Sequence, residues 1–327
     1  MSHGALFTGR YPLHNGLHDV MRGTLRAPSV FTHARRYGRR TVLMTDSPVV
    51  LNPGQGFTRE VDTYLIGQDD AFVDAVVGAD STLAWAYLGP VEPAGAVAGA
   101  GGDEGRSTYP VAVEQFMALR FAPFVERLTD RVAALGRRLL LVVVAGHGRR
   151  WTGPQDAVTG APGEGVLTEA VLRVPLIIAG DGVVPGRHCR RIRTVDVAPT
   201  VLELAGLPVS VTGLFDGQSR ASVVLGRQDL GDDAPALAGS YEQDRVGEVG
   251  YLDDLRVVRW SSRGVPEPES VRTERLDGGG VPRPDPGADA ADVLTMLDDH
   301  RGALAAPGQV TVTEEMRVQL RSQGYSV

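Results

Sequence analysis

The stretch Leu139 to Gly148, LLLVVVAGHG, decides how this chain is read. Six aliphatic residues run without interruption and give way to Ala145-Gly146-His147-Gly148. A continuous Val-rich run of strand length reads as a strand buried on both faces, as in the middle of a parallel sheet. The small residues after it mark a loop at the strand's carboxyl end, where open α/β sheets place their ligands. His147 is therefore either a group placed for chemistry or a loop histidine with no ligand.

Working outward, Val111 to Gly136 reads as a long helix with a break at Pro123. Phe116, Leu119, Arg120, Phe124, Leu128 and Val132 recur at three- and four-residue spacing within it. Beyond the polar loop from Arg149 to Gly165, VLTEAVLRVPLIIAGDG gives a short helix and a strand at Leu176 to Ala179. Thr194 to Gly206 then gives a helix with Pro near its start and Gly206 at its end. Upstream, Ser2 to Arg10 and Phe31 to Tyr37 read as helices. Arg39 to Asp46 reads as a strand ending in an acid, with Asp46 taken as an exposed loop carboxylate. Ala71 to Val77 is expected to be helical, Thr82 to Leu88 a strand, and Gly89 to Gly105 disordered.

Alternating strand and helix predicts an α/β fold with a mostly parallel central sheet sandwiched by helices. From about Val209 turn residues dominate. Val246 to Trp260 reads as a β-hairpin, Ser261 to Ala291 as a long surface connection, and Val310 to Tyr325 as a closing helix. The expected division is a core over residues 1–208 and a small antiparallel β/helix extension over residues 209–327.

The composition is that of a globular protein: 327 residues, 43% hydrophobic, 22% charged. A net charge of −7 gives no basic footprint for nucleic acid. All 33 basic residues other than histidine are arginine. The single cysteine, Cys189, forms no internal disulfide and reads as an incidental loop residue. No stretch reaches the roughly 18 apolar residues of a membrane span. The start lacks a charged leader and an apolar core. The expected location is the cytoplasm, with no membrane or nucleic-acid partner.

Four stretches together resemble the sulfatase family of the alkaline-phosphatase-like superfamily. These are SHGALFTGRYP at Ser2 to Pro12, followed by His14-Asn15-Gly16; the apolar strand ending in His147-Gly148; LTEAVLRVPLIIAGDGVVPGR at Leu167 to Arg187; and TVDVAPTVLELAGLP at Thr194 to Pro208, followed by Asp216-Gly217-Gln218-Ser219. The resemblance implies a metal-dependent hydrolase of sulfate or phosphate esters. It implies a divalent cation (Ca, Mg, Mn or Zn) held by an Asp pair on a first strand and by Asp with Asn or His after the central strand. It places the nucleophile at the amino end of the first helix.

Residue by residue, the chain departs from that pattern. The position matching the nucleophile lies two residues before Met1, and Met1 occupies the motif's Pro position. Ser2 and His3 are what is left of the nucleophile motif, and Ser2 also reads as a helix cap. The strand with the Asp pair is missing. Gly146 stands where the metal-binding Asp is expected, leaving His147 as a residual ligand. Val91-Glu92-Pro93 stands where a substrate histidine is expected. Glu164, in Gly163-Glu164-Gly165, replaces a substrate-binding His or Lys and adds negative charge where an anion would bind.

The chain therefore reads as an N-terminally truncated, degenerate member, catalytically impaired, with no cofactor as it stands. The alternative is an active sulfate- or phosphate-ester hydrolase acting on a small molecule, its nucleophile and Asp pair supplied by a longer N-terminus. The missing strand implies an open sheet edge, and with it self-association or a protein partner. Asp156, Asp181 and Asp196 are expected as turn or cap residues, His14 and His18 in surface or packing roles, and Arg10 as structural.

Overall fold

A computed structural model describes residues 2–17, 23–47, 49–89, 91, 103–148, 167–209, 214–229, 231–241, 245–262, 270–302 and 318. The described residues fall into two compact units. One is made of residues 28–141, the other of residues 1–27, 142–148 and 167–302.

The chain opens with α1 (Ser2–Thr8) and the single turn α2 (Pro12–Asn15). The left-handed Gly9 ends α1, and Pro12 starts α2 at a position where a missing N–H costs nothing. The 28–141 unit then comprises α3 (Val30–Arg36), β1 (Arg40–Thr45), β2 (Thr63–Ile66), α4 (Asp69–Val77), β3 (Thr82–Tyr87), α5 (Asp103–Phe116) and α6 (Ala122–Ala134). Ser29 caps α3 by accepting from the Thr32 amide, while the Ser29 amide donates to the Thr32 hydroxyl. The sheet order is β2-β1-β3 and both pairings are parallel.

β1 is buried from Thr41 to Thr45, with only Arg40 at its start exposed. Its buried Thr41 and Thr45 stay satisfied because their hydroxyls donate to the carbonyls of Glu60 and Ser47. The unit's core joins Val42 and Met44 to Phe72 and Val73 of α4 and to Phe124, Leu128 and Val132 of α6.

The helical stretch around Pro123 is not broken. A π-helical turn, Met117–Phe121, joins α5 to α6, and the Ala122 amide reaches back to the Met117 carbonyl. Pro123 offers no N–H to the turn behind it, and a widened turn absorbs that loss. The extra residue also shifts the phase of the apolar stripe. Phe124, Leu128 and Val132 face the core as expected, but Leu119 is 80% exposed.

β4 (Leu140–Val144) is a strand, as the sequence predicts, but not one buried on both faces. It is half-buried throughout and pairs with β5 (Leu176–Gly180) in a two-stranded sheet among the described residues. An unbroken aliphatic run reports apolar surroundings, not the number of paired neighbours. α7 (Glu169–Leu172) precedes β5, and α8 (Val197–Leu204) and α9 (Ala221–Val224) follow it.

The C-terminal part is larger than one hairpin. β6 (Ala236–Tyr241), β7 (Arg245–Leu252), β8 (Leu255–Ser262), β9 (Ser270–Leu276) and β10 (Pro282–Pro284) form an antiparallel sheet in the order β10-β9-β8-β7-β6. The expected hairpin is β7–β8, closed by Asp253-Asp254 with Asp253 left-handed at φ 50°. The expected surface connection instead holds β9 and β10. Its Arg, Asp and Pro residues read as loop, whereas Pro282 and Pro284 fit the edge strand β10 and β9 pairs on both sides.

Val249, Tyr251, Val258 and Trp260 cover one face of this sheet with Leu167. Leu255 and Val257 meet α10 (Ala291–Gly302) through Val293 on the other. The expected disordered stretch 89–105 and the expected closing helix 310–325 fall almost wholly outside the described residues. No helix among the described residues is long and apolar enough to cross a membrane.

The seating of α10 depends on Gly250, where an added Cβ would lie 2.4 Å from Val293 Cγ1. Val293 is stiff at χ1 and cannot swing away. Gly250→Ala is expected to destabilise the protein by about 1–3 kcal/mol, measured by urea unfolding. A change within about 0.5 kcal/mol would show that α10 is not seated this way.

Candidate functional site

His147 and the residues beside it lie at the carboxyl end of β4, where two backbone contacts fix them. The Gly148 amide donates to the Val171 carbonyl of α7 at 2.7 Å. A Cβ on Gly148 would stand 1.9 Å from the Ala170 carbonyl oxygen, so only glycine fits there. On the other side Gly146 packs on α1, where a Cβ would be 3.3 Å from His3 Nε2. The glycines on either side of His147 thus belong to the packing of this loop against α1 and α7.

His3 and His147 are close enough to interact electrostatically. Burial is the main cause that brings the His3 imidazole down to about 3, with the positive charges of the chain's amino end and of His147 adding to it. His147 is exposed, and its Nδ1 lies 2.8 Å from the Gly148 carbonyl. Ser2 is half-buried in the first turn of α1. The structure therefore brings Ser2, His3 and His147 to one end of the same unit. Glu164, Glu92, Asp156 and His18 lie outside the described residues.

The donor set is poor for a divalent cation. Gly146 offers no ligand atom, and the site holds two imidazoles, one of them enclosed. Among the described residues no group of three or more His, Cys, Asp or Glu side chains is gathered to hold a metal ion. Such ions take about four or more ligands.

A buried ionic centre supports this end of the unit. Asp196 is fully buried at the start of α8. It accepts from Arg193 Nη2 at 2.7 Å, Arg220 Nη2 at 3.4 Å and the Gln218 amide at 2.8 Å. It is the turn residue the sequence suggests, but one that carries a charge network. Next to it, the amides of Asp216 and Gly217 donate to the Gly9 carbonyl at the exit of α1. Arg10 donates to the Leu214 carbonyl at 2.8 Å, a structural contact as expected. α7 is anchored from the antiparallel sheet: buried Arg256 bonds the Leu167 carbonyl and Glu274, and pairs with Glu169 at 3.2 Å.

The sequence reading missed a second polar cluster, in the 28–141 unit. Asp46 is not an exposed loop carboxylate: its side chain is 16% exposed. Arg120, carried by the π-helical turn, donates to Asp46 and Asp69 at 2.9 Å each. Burial pushes the Asp46 carboxyl up, against the opposing pull of Arg120. A cavity of about 610 Å³ opens beside it, lined by Gly67, Asp69, Asp70, Leu119, Arg120 and Arg127. The signal in the sequence was an arginine four residues after Phe116 on an otherwise apolar stripe. The exposed residues Cys189 and Asp181 take no part in either cluster.

Two substitutions separate scaffold from site. Asp196→Asn leaves two half-buried guanidinium groups undercompensated and is expected to cost about 3 kcal/mol. His147→Ala removes an exposed ring and is expected to stay within about 0.5 kcal/mol of the parent. Chemical denaturation of both variants checks the contrast, and equal effects would contradict it.

No protein-family model matches the chain. A stretch of 59 residues is 42% identical to the choline-sulfatase of Rhizobium meliloti (strain 1021), and it takes in 18% of this chain and 12% of that protein. The structural likenesses reach much further. Ps i-CgsB in complex with k-i-k-neocarrahexaose aligns over 98% of this chain and 86% of its own, with a TM-score of 0.65 at 17% identity. A 2-O GAG sulfatase aligns over 97% and 85%, with a TM-score of 0.58 at 14% identity. A protein solved with its substrate D-glucosamine-2-N,6-O-disulfate aligns over 92% and 87%, with a TM-score of 0.58 at 13% identity. With its parallel sheet, flanking helices and separate antiparallel sheet, the chain has the α/β fold of the sulfatases.

Proposed function

We propose that this chain is a sulfatase-family protein, catalytically impaired with the residues it has, that keeps the ligand-binding end of its sheet. The fold likeness and the local identity to a choline-sulfatase support the family. The observation that carries the impairment is the pairing of Gly146 with His3. Where the sequence resemblance expects a carboxylate on a metal, a glycine lies against an enclosed imidazole. A metal that orients the ester and a nucleophile that attacks it are separate sources of rate, and each needs groups that the described residues of this site do not gather.

The ligand class that fits the reading is a small sulfate ester, with phosphate esters as near isosteres. Ser2, His3 and His147 are the groups we assign to contact it, and Glu164 the residue that weakens anion binding. Hydrolysis by an active enzyme, with further groups completing the site, is the second reading. The 42% identity to a choline-sulfatase favours it.

Calorimetric titration with Ca²⁺, Mg²⁺, Mn²⁺ and Zn²⁺, beside nitrophenyl sulfate and nitrophenyl phosphate assays, separates the two. The expected result is no binding tighter than about 1 mM, equivalent to about 4 kcal/mol, and no turnover above the uncatalysed rate. Micromolar metal binding lost in His147→Ala, with turnover lost in the same variant, would establish the active reading instead.

A further inference from the structure

The C-terminal end of α10 meets the exit of α1 through a pair of histidines. His300, on the last turn of α10, is 7% exposed. Its ring centroid lies 4.7 Å from that of His14 on α2, and 5.1 Å from that of Tyr11, which it meets edge-on at 74°. His14 Nδ1 is 2.6 Å from Asp216 Oδ2, and the same oxygen accepts the Tyr11 amide at 2.8 Å. Two imidazoles from separate elements thus stand side by side, and of the two only His14 bonds the Asp216 carboxylate.

One proton on this pair is well placed, because Asp216 faces His14. A second would sit on His300, which forms no ion pair with a carboxylate among the described residues. The other charged groups around the contact are already engaged or are cations. Arg10 stands on the Asp216 side and Arg193 on the Tyr11 side. Asp196 is held by Arg193 and Arg220. On and beneath α10, Asp298 is held by Arg259, and Glu248 by Arg259 and Arg301. Asp299 is exposed.

We propose that His14 and His300 form an acid-operated latch: doubly protonated, they repel, and the end of α10 leaves the Tyr11–Asn15 turn. The latch leads toward the candidate site, because this turn is the exit of α1, and α1 carries Ser2 and His3.

The titration directions agree with the geometry. Burial first, and then the facing His14, bring His300 down to about 4, against the pull of Asp216. A base whose folded value lies below its ordinary one contributes stability above pH 6.5, lost as pH falls toward about 4. Asp216 has the same sign. Although burial pushes it up, bonds from His14 and the Tyr11 amide hold its carboxyl below the usual range. Its contribution too is lost on acidification.

Hydrogen exchange of the full-length protein, read by mass spectrometry from about pH 7.5 to about pH 4.5 and corrected for intrinsic rates, tests this. Peptides covering residues 291–302 and 11–16 are expected to lose protection at least about tenfold relative to β8. In His300→Phe, which keeps the ring and removes the charge, this loss should disappear. His300→Gln serves the same purpose if the larger ring is poorly accommodated. Equal loss in the parent and in both variants, or loss in α10 no greater than in β8, would overturn the latch.

Discussion

The carboxylate of Asp196 is the interaction on which the rest of the larger unit depends. A fully buried charge is tolerated only when it is paired and hydrogen-bonded. Here pairing requires two segments to converge: the turn before α8, which carries Arg193 and Asp196 itself, and the strip from Asp216 to Arg220. Once they converge, the amides of Asp216 and Gly217 reach the Gly9 carbonyl and fix the exit of α1. Gly217 has no alternative, since a Cβ there would lie 1.9 Å from the Val195 carbonyl oxygen. The charge and the close backbone approach thus enforce one another.

A second set of buried charges ties the antiparallel sheet to the loop around His147. Arg256 touches Leu167, Glu169, Tyr251 and Glu274. Glu169 and Leu167 belong to the segment whose Val171 carbonyl receives the Gly148 amide. Buried ion pairs are weak sources of net stability, but their directional bonds fix position. The antiparallel sheet thereby sets where α7 sits, and α7 sets the loop after β4. The C-terminal strands are in this sense part of the site's support.

The sequence was most informative where one element's pattern sufficed. α1, α3, β1, α4, β3, β4 and α8 follow from apolar periodicity and from Gly, Pro and cap residues. It was misleading where tertiary partners decide. β1 looks half-polar because of Thr41 and Thr45, yet it is the strand buried between two neighbours, its hydroxyls answered by carbonyls. β4 looks like the most buried strand and is half-buried. β2 was missed because four partly exposed residues give no period. Asp46 was misread because its partner Arg120 lies 74 positions away. At the site, the motif placed Ser2, His3 and His147 at one end of the unit. What no motif could give was the contact between Gly146 and the His3 ring, which depends on how α1 meets β4.

Gly146 and Gly148 differ in how strictly the packing fixes them. At Gly148 a side chain collides with backbone, so the residue is fixed by structure whatever the site does. At Gly146 a Cβ would meet a ring at 3.3–3.4 Å, close but displaceable. Asp196 resembles Gly148: its loss strands two guanidinium groups. A ligand position resembles Gly146: its side chain serves a bound ion, and removing both leaves the packing intact. Selection on folding alone would therefore keep Asp196, Gly148 and Gly217 while letting Gly146 and its neighbours vary. The stretch from Thr194 to Ser219, which carries much of the sequence resemblance, holds Asp196 and Gly217, two positions that the packing fixes.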